Sequence, residues 1–287
     1  MIGVSPARLR LLLYGLVAAG LLTEQDGRFS NTAEADQYLV KGNPSYMGGM
    51  QELFSHRWTK LYPHTAESIS RAVPQAKVGF ADSAPEEVEA FLRRINRNTV
   101  ASARALLTRF DFSSTRTLAD VGCGGAGLAL TMTKELPHIR ATAIDLPLVA
   151  PIAQKIVAEE GATDRVQVLS ADLLSGPLPG SYDVVILRGV LQCLAADEAR
   201  LAVKNLAAAV NPCGIVYIVA QILDDSRLSP LEALGYNLIF LNTFDAGQSY
   251  TEAEHREWLS AAGFVDIERA KFLLPDRHGL ITARKKA

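Results

Sequence analysis

Three aspartates, Asp120, Asp145 and Asp172, each close a short apolar run, and a cluster of glycines follows the first. That cluster reads Asp120-Val121-Gly122-Cys123-Gly124-Gly125-Ala126-Gly127. Glycines between a strand and a helix let the chain turn tightly and let a ligand approach the backbone. Gly122, Gly124 and Gly127 also satisfy the G-x-G-x-x-G pattern shared with dinucleotide sites. The carboxylate of Asp120 separates the two classes. It would repel a pyrophosphate but attract a ligand carrying an ammonium and a sulfonium, as S-adenosyl-L-methionine does. The competing role for Asp120 is to cap the following helix. Asp145, about twenty residues past the glycines, suits acceptance of ribose hydroxyls, against the alternative of a solvated turn residue. Asp172 suits the adenine amino group, with Leu173 packing on the ring, although aspartate is also a common strand-end residue. Together the three place one nucleoside ligand across the carboxyl edge of a sheet.

Those strand ends need an alternating scaffold. From Arg116 onward, short apolar runs alternate with helical stretches, ending at a helix over about Thr251–Ala262 and two extended pieces, Phe264–Leu273 and Gly279–Lys285. This rhythm predicts an α/β domain with a parallel sheet between helices. The last two pieces, joined by the Asp276–Gly279 turn, predict an antiparallel pair. Before Arg116 the chain reads differently. Residues 6–19 predict a buried helix with Ser5 as N-cap and Pro6 at N1. Asp26-Gly27 between extended pieces predicts a tight hairpin. Helix then hairpin is the outline of a winged helix. Residues 31–110 read as mainly helical, with a long helix over 85–109. The expected domains are 1–84 and 85–287.

Bulk properties narrow the function. The 287 residues are 48% hydrophobic and 21% charged, with net charge −2. This balance offers no bulk attraction to nucleic acid or an anionic membrane. Three scattered cysteines suit neither a disulfide framework nor a zinc site, and a reducing, cytoplasmic setting is expected without a metal. The apolar N-terminal run lacks the layout of a signal peptide and is too short to span a bilayer.

With these residues in hand, the chain resembles the class I methyltransferases. More narrowly, it resembles the small-molecule O-methyltransferases with an N-terminal winged-helix dimerisation domain. The resemblance rests on SPARLRLLLYGLVAAGLLTEQDGRFSNTAEADQYL, LADVGCGGAGLAL, AIDLP and GQSYTEAEHREWLSAAGF. It implies a Rossmann-like seven-stranded sheet with an antiparallel last strand, a small-molecule acceptor and a homodimer. It also implies cofactor contacts from Asp145 and Leu146, and an acceptor pocket using Trp58, Tyr236, Asn237 and Phe240, with Asn242 nearby. Family members usually carry further helices ahead of the winged helix, where this sequence begins.

One departure touches the chemistry. Where the family carries a histidine base after the fourth strand, this chain reads Leu187-Arg188-Gly189-Val190-Leu191-Gln192-Cys193-Leu194, with Gln192 at the histidine position and Arg188 at a conventional lysine. The acid that orients the histidine is replaced in the stretch Val219-Ala220-Gln221, while Glu252 matches the second acidic partner. A neutral amide positions an oxygen but takes no proton. Gln192, Arg188 and Glu252 are the candidate catalytic residues, with Arg188 also beside the cofactor. Other candidate bases are His255, expected at the surface, Cys193, and His56 in a stripe with Phe54, Trp58 and Tyr62. Three outcomes follow: methylation of a carbon or pre-activated heteroatom, use of another base, or a non-methylating reaction such as hydroxylation, decarboxylation or cyclisation. A winged-helix DNA-binding regulator, lacking a basic stripe beyond Arg8 and Arg10, and a nicotinamide dehydrogenase complete the alternatives.

Overall fold

A computed structural model describes residues 5–43, 46, 55–77, 80, 83–270 and 279–287. The chain divides into two compact units, Met1–Thr59 and Lys60–Ala287.

The first unit opens with helix α1 (Pro6–Ala18), entered through extended Ser5 with Pro6 at its first position; the Ser5 side chain makes no capping bond. Strands β1 (Leu22–Gln25) and β2 (Arg28–Asn31) pair antiparallel. Between them Asp26 (φ 51°) and Gly27 (φ 76°) both adopt the left-handed conformation that a two-residue hairpin of this twist requires. Helix α2 (Ala33–Leu39) is capped by Thr32, whose Oγ1 accepts from the Ala35 N–H at 3.2 Å. The expected burial of α1 is not seen. None of its residues is buried, and Leu11 is 76% exposed. Ala35 is the one buried residue among those described in this unit.

In the second unit, helices α3 (Thr65–Arg71) and α4 (Pro85–Arg109) precede the alternating region. There follow β3 (Thr117–Val121), α5 (Gly127–Glu135), β4 (Arg140–Asp145), α6 (Ala150–Glu159), β5 (Val166–Ser170), β6 (Tyr182–Arg188), α7 (Ala196–Ala207) and β7 (Val210–Ala220). A short pair, β8 (Ile222–Leu223) and β9 (Tyr250–Thr251), brackets α8 (Leu231–Thr243). The chain continues through α9 (Glu252–Ala261), β10 (Phe264–Ala270) and β11 (Gly279–Lys285). The turn expected at Asp276–Gly279 lies largely outside the described residues.

The sheet order is β10-β11-β7-β6-β3-β4-β5. Strands β5, β4, β3, β6 and β7 are parallel, while β11 runs antiparallel to both β7 and β10, as expected. Both faces are covered. In β3, Leu118 points into a core with α4, α5 and α6 residues such as Leu106, Met132 and Val157, whereas Ala119 and Val121 face a second core with Leu206 and Leu259. Strands buried on both faces explain the unbroken apolar runs. Chain order reverses between β3 and β6, which opens a crevice at their carboxyl ends.

The division near residue 60 falls well before the boundary read at 84/85. Helix α3 is fastened to α8 by a polar clamp: Ser68 Oγ donates to Asn242 Oδ1 at 2.8 Å, and Asn242 Nδ2 donates to Thr65 Oγ1 at 3.0 Å. Among the described residues no helix is long and apolar enough to cross a membrane, and no three His, Cys, Asp or Glu side chains gather as for a metal.

Candidate active site

The glycine segment folds over the tip of β4. The N–H groups of Gly122 and Cys123 both donate to the Ile144 carbonyl, at 2.8 and 3.2 Å. At Gly122 the backbone is left-handed (φ 70°), and a Cβ there would lie 2.3 Å from Val190 Cγ2, so only glycine fits. At Gly127 a Cβ would lie 2.2 Å from Asn96 Oδ1. That oxygen accepts from the Gly127 N–H at 2.9 Å, and Asn96 Nδ2 donates to the Gly125 carbonyl at 3.3 Å. Helix α4 thus holds the end of the turn that leads into α5.

Asp120 lies next to the end of β3, Asp145 ends β4, and Asp172 follows the end of β5 at Ser170. Asp145 Oδ2 accepts from the Gly124 N–H at 2.7 Å and Oδ1 from the Leu146 N–H at 2.8 Å. Leu146 is half-exposed beside it. Asp120 is buried, and its Oδ2 accepts from the Ala129 N–H in the first turn of α5 at 3.1 Å. The capping alternative for Asp120 is therefore realised, alongside its place at the strand tip. Burial pushes the Asp120 carboxyl up to about 7, opposed by the Ala129 N–H, reinforced by Asp145 and opposed again by the Arg188 charge. Burial also raises Asp145, against the Gly124 and Leu146 N–H groups. Two desolvated carboxylates beside an open-backbone turn suit a cationic ligand far better than a pyrophosphate. Asp172 accepts from the Leu174 N–H at 2.9 Å and from Ser175 Oγ at 3.0 Å, and Leu173 is buried. These residues fit S-adenosylmethionine.

At the end of β6, Arg188 Nε donates to Ser102 Oγ on α4 at 2.8 Å. A short 3-10 turn, Leu191–Cys193, then carries Gln192, which is 7% exposed. Its Oε1 accepts from the backbone N–H of Gln221 at 3.0 Å, just past β7. Close packing fixes the backbone too: a Cβ on Gly247 would lie 2.7 Å from the Gln192 carbonyl oxygen.

The remaining candidates separate. Glu252 Oε1 is held by Arg256 at 2.7 Å and Oε2 faces Arg269 at 3.4 Å. It occupies the first turn of α9, behind the Thr251–Glu254 capping box that the sequence also suggested. His255 is buried, not superficial: its Nδ1 donates to the Thr251 carbonyl at 2.7 Å, and Nε2 is enclosed without a partner. The cause is its place on the inner side of α9 against Tyr250 and Trp258. Cys193 Sγ donates to the Gly189 carbonyl at 3.3 Å, and burial raises the thiol to about 12. Asn237 Oδ1 accepts from the Ser249 N–H at 2.7 Å, buried Phe240 lies 6.0 Å from the Tyr236 ring, and Asn242 is engaged by α3. Trp58 and His56 belong to the first unit, where both are exposed, and Phe54 lies outside the described residues.

Sequence reasoning missed Asn96 and Ser102. Their signal was present in α4, whose buried face is interrupted by polar residues, but their partners are 29 to 86 residues away.

Comparison with known proteins agrees with this geometry. Residues 65–265 match the model of the O-methyltransferase domain. The 3-hydroxy-5-methyl-1-naphthoate 3-O-methyltransferase of Streptomyces sahachiroi is 30% identical, over 99% of this chain and 83% of that protein. The tetracenomycin polyketide synthesis 8-O-methyl transferase of Streptomyces glaucescens is 30% identical, over 96% and 82%. In fold, the human N-acetylserotonin methyltransferase in complex with SAM superimposes with TM-score 0.79 at 23% identity, over 99% of this chain and 84% of that one. The chain belongs to the O-methyltransferase family of S-adenosylmethionine-dependent enzymes.

Proposed function

We propose that the enzyme methylates a small aromatic or polyketide-like acceptor, at carbon or at a heteroatom activated beforehand, without a histidine base. The observation that carries this is Gln192, pinned through its oxygen to the Gln221 N–H and unable to take a proton. When bound, the sulfonium cofactor supplies an electrophilic methyl group. Orientation of the acceptor then supplies much of the acceleration. In this reading Asp145 and Leu146 hold the ribose, Asp172 and Leu173 the adenine, and Asp120, Gly122, Gly124, Gly127 and Arg188 the amino-acid end. Gln192 and Arg188 place the acceptor. Tyr236, Asn237 and Phe240 of the second unit form its surroundings. Glu252 acts through its ion pairs, not as a base. The hydroxynaphthoate and the polyketide synthesis named for the two Streptomyces relatives support the substrate class.

The helix and hairpin of the first unit are read as a winged helix that pairs with a second copy, supported by the exposed Leu11, Leu12 and Tyr14 of α1. The free Cys123, Cys193 and Cys213 agree with a cytoplasmic setting. Incubation with S-adenosylmethionine and hydroxynaphthoate-type acceptors tests the activity by mass spectrometry. A gain of one methyl group is expected; cofactor binding without any methylated product across the series would sink the reading.

A further inference from the structure

The orientation of one amide restricts the acceptor further. A backbone N–H only donates, so the end of the Gln192 side chain facing Gln221 must be its oxygen. Nε2 is then the remaining end, and it lies 3.8 Å from where a Cβ on Gly189 would stand. An amide presenting N–H donors favours an oxygen with lone pairs and negative charge. A neutral hydroxyl can accept from it more weakly, but Nε2 gives no acceptor for the hydroxyl's own proton. Among the described residues, the candidate bases and nearby hydroxyl do not compensate. Cys193 Sγ–H is directed at the Gly189 carbonyl, Glu252 is engaged by Arg256 and Arg269, and the Tyr250 hydroxyl donates to the Leu194 carbonyl at 2.6 Å. His255 presents Nδ1–H to Thr251 and encloses Nε2.

We propose that the acceptor is an acidic enol or hydroxyquinone that arrives as its anion, and that Gln192 Nε2 holds the anionic oxygen. The proposal rests on the methyltransferase reading and names the substrate class for the same site. The chemistry balances without a base. A lone pair of the oxyanion forms the O–C bond as the S–C bond breaks, its electrons return to sulfur, opposite charges cancel and no proton moves. A simple phenol or alcohol, neutral on arrival, lacks the required form.

The test uses the full chain saturated with S-adenosylhomocysteine, with 2-hydroxy-1,4-naphthoquinone and 1-naphthol as probes followed by absorbance and calorimetry. The quinone is expected to bind as its coloured anion and to keep that spectrum below its own ionisation midpoint. At neutral pH, 1-naphthol should bind at least about tenfold more weakly. In Gln192→Glu the carboxylate still accepts from the Gln221 N–H but turns a negative oxygen towards the acceptor. It should weaken quinone binding about tenfold or more while S-adenosylhomocysteine affinity is retained. Binding of the quinone in its protonated form, no quinone binding, equal affinity for naphthol, or an indifferent Gln192→Glu would each overturn the proposal and leave the methyltransferase reading standing. Failure of the wild type to bind S-adenosylhomocysteine would overturn that reading and this proposal with it.

Discussion

Asp120 and Asp145 carry opposite demands. Each is desolvated at the end of a strand, yet each is proposed to hold a polar part of the cofactor, Asp120 its amino-acid end and Asp145 its ribose. For Asp120 the folded-state carboxyl titrates near 7, above the unfolded value of about 3.9. The native state therefore holds more protons between those values, and stability contributed by this residue falls as pH rises from about 4 to about 7. Thermal unfolding of the ligand-free protein should show that slope. Asp120→Asn, which still accepts from the Ala129 N–H, should flatten it; an unchanged profile would exclude Asp120 as its source. For Asp145→Ala, loss of a charged hydrogen-bonding partner is expected to weaken S-adenosylhomocysteine binding by about 10- to 100-fold in calorimetry. These acids were readable from the sequence because each closes an apolar run. The direction of the Gln192 amide was not, since it depends on a backbone N–H 29 residues away. His255 was misplaced for a related reason: its polar neighbours in sequence say little about which side of α9 meets the Tyr250–Trp258 cluster.

At the scale of elements, the alternating strands and helices were visible from periodicity, because a sheet buried on both faces needs continuous apolar segments. The hairpin at Asp26-Gly27 was equally visible, because its turn demands residues that accept positive φ. What periodicity could not show was α4 as a clamp on the cofactor turn, since the Asn96 contacts exist only once the helix lies across α5. Gly127→Ala would force Asn96 aside and loosen both of its bonds to the turn. A loss of about 1–3 kcal/mol in denaturant unfolding is expected, with weaker cofactor binding. Asn96→Ala should reproduce much of the affinity loss without the clash, and full affinity in that variant would refute the clamp. At the other edge, Thr251→Ala removes one side of the α9 capping box and should cost about 1 kcal/mol in the same measurement.

At the scale of the molecule, α1 is the feature that local sequence misrepresented. A leucine-rich helix reads as one that a neighbouring layer covers, yet none of its residues is buried. If a second copy supplies that layer, Leu11→Glu with Leu12→Glu should convert a dimer to a monomer in light scattering, with the second unit still folded by circular dichroism. A monomeric wild type would remove the dimer proposal. The contact between Gly122 and Val190 has a kinetic consequence. A ligand settling on the glycine turn would meet the same residue that leads, two positions later, into Gln192. If it displaced Val190, occupancy of one proposed substrate site would be felt at the other, and by linkage the influence would be mutual. Turnover should follow a preferred order of arrival, the nucleoside first. Acceptor affinity should rise when S-adenosylhomocysteine is present, and Val190→Ala should make the two arrivals independent.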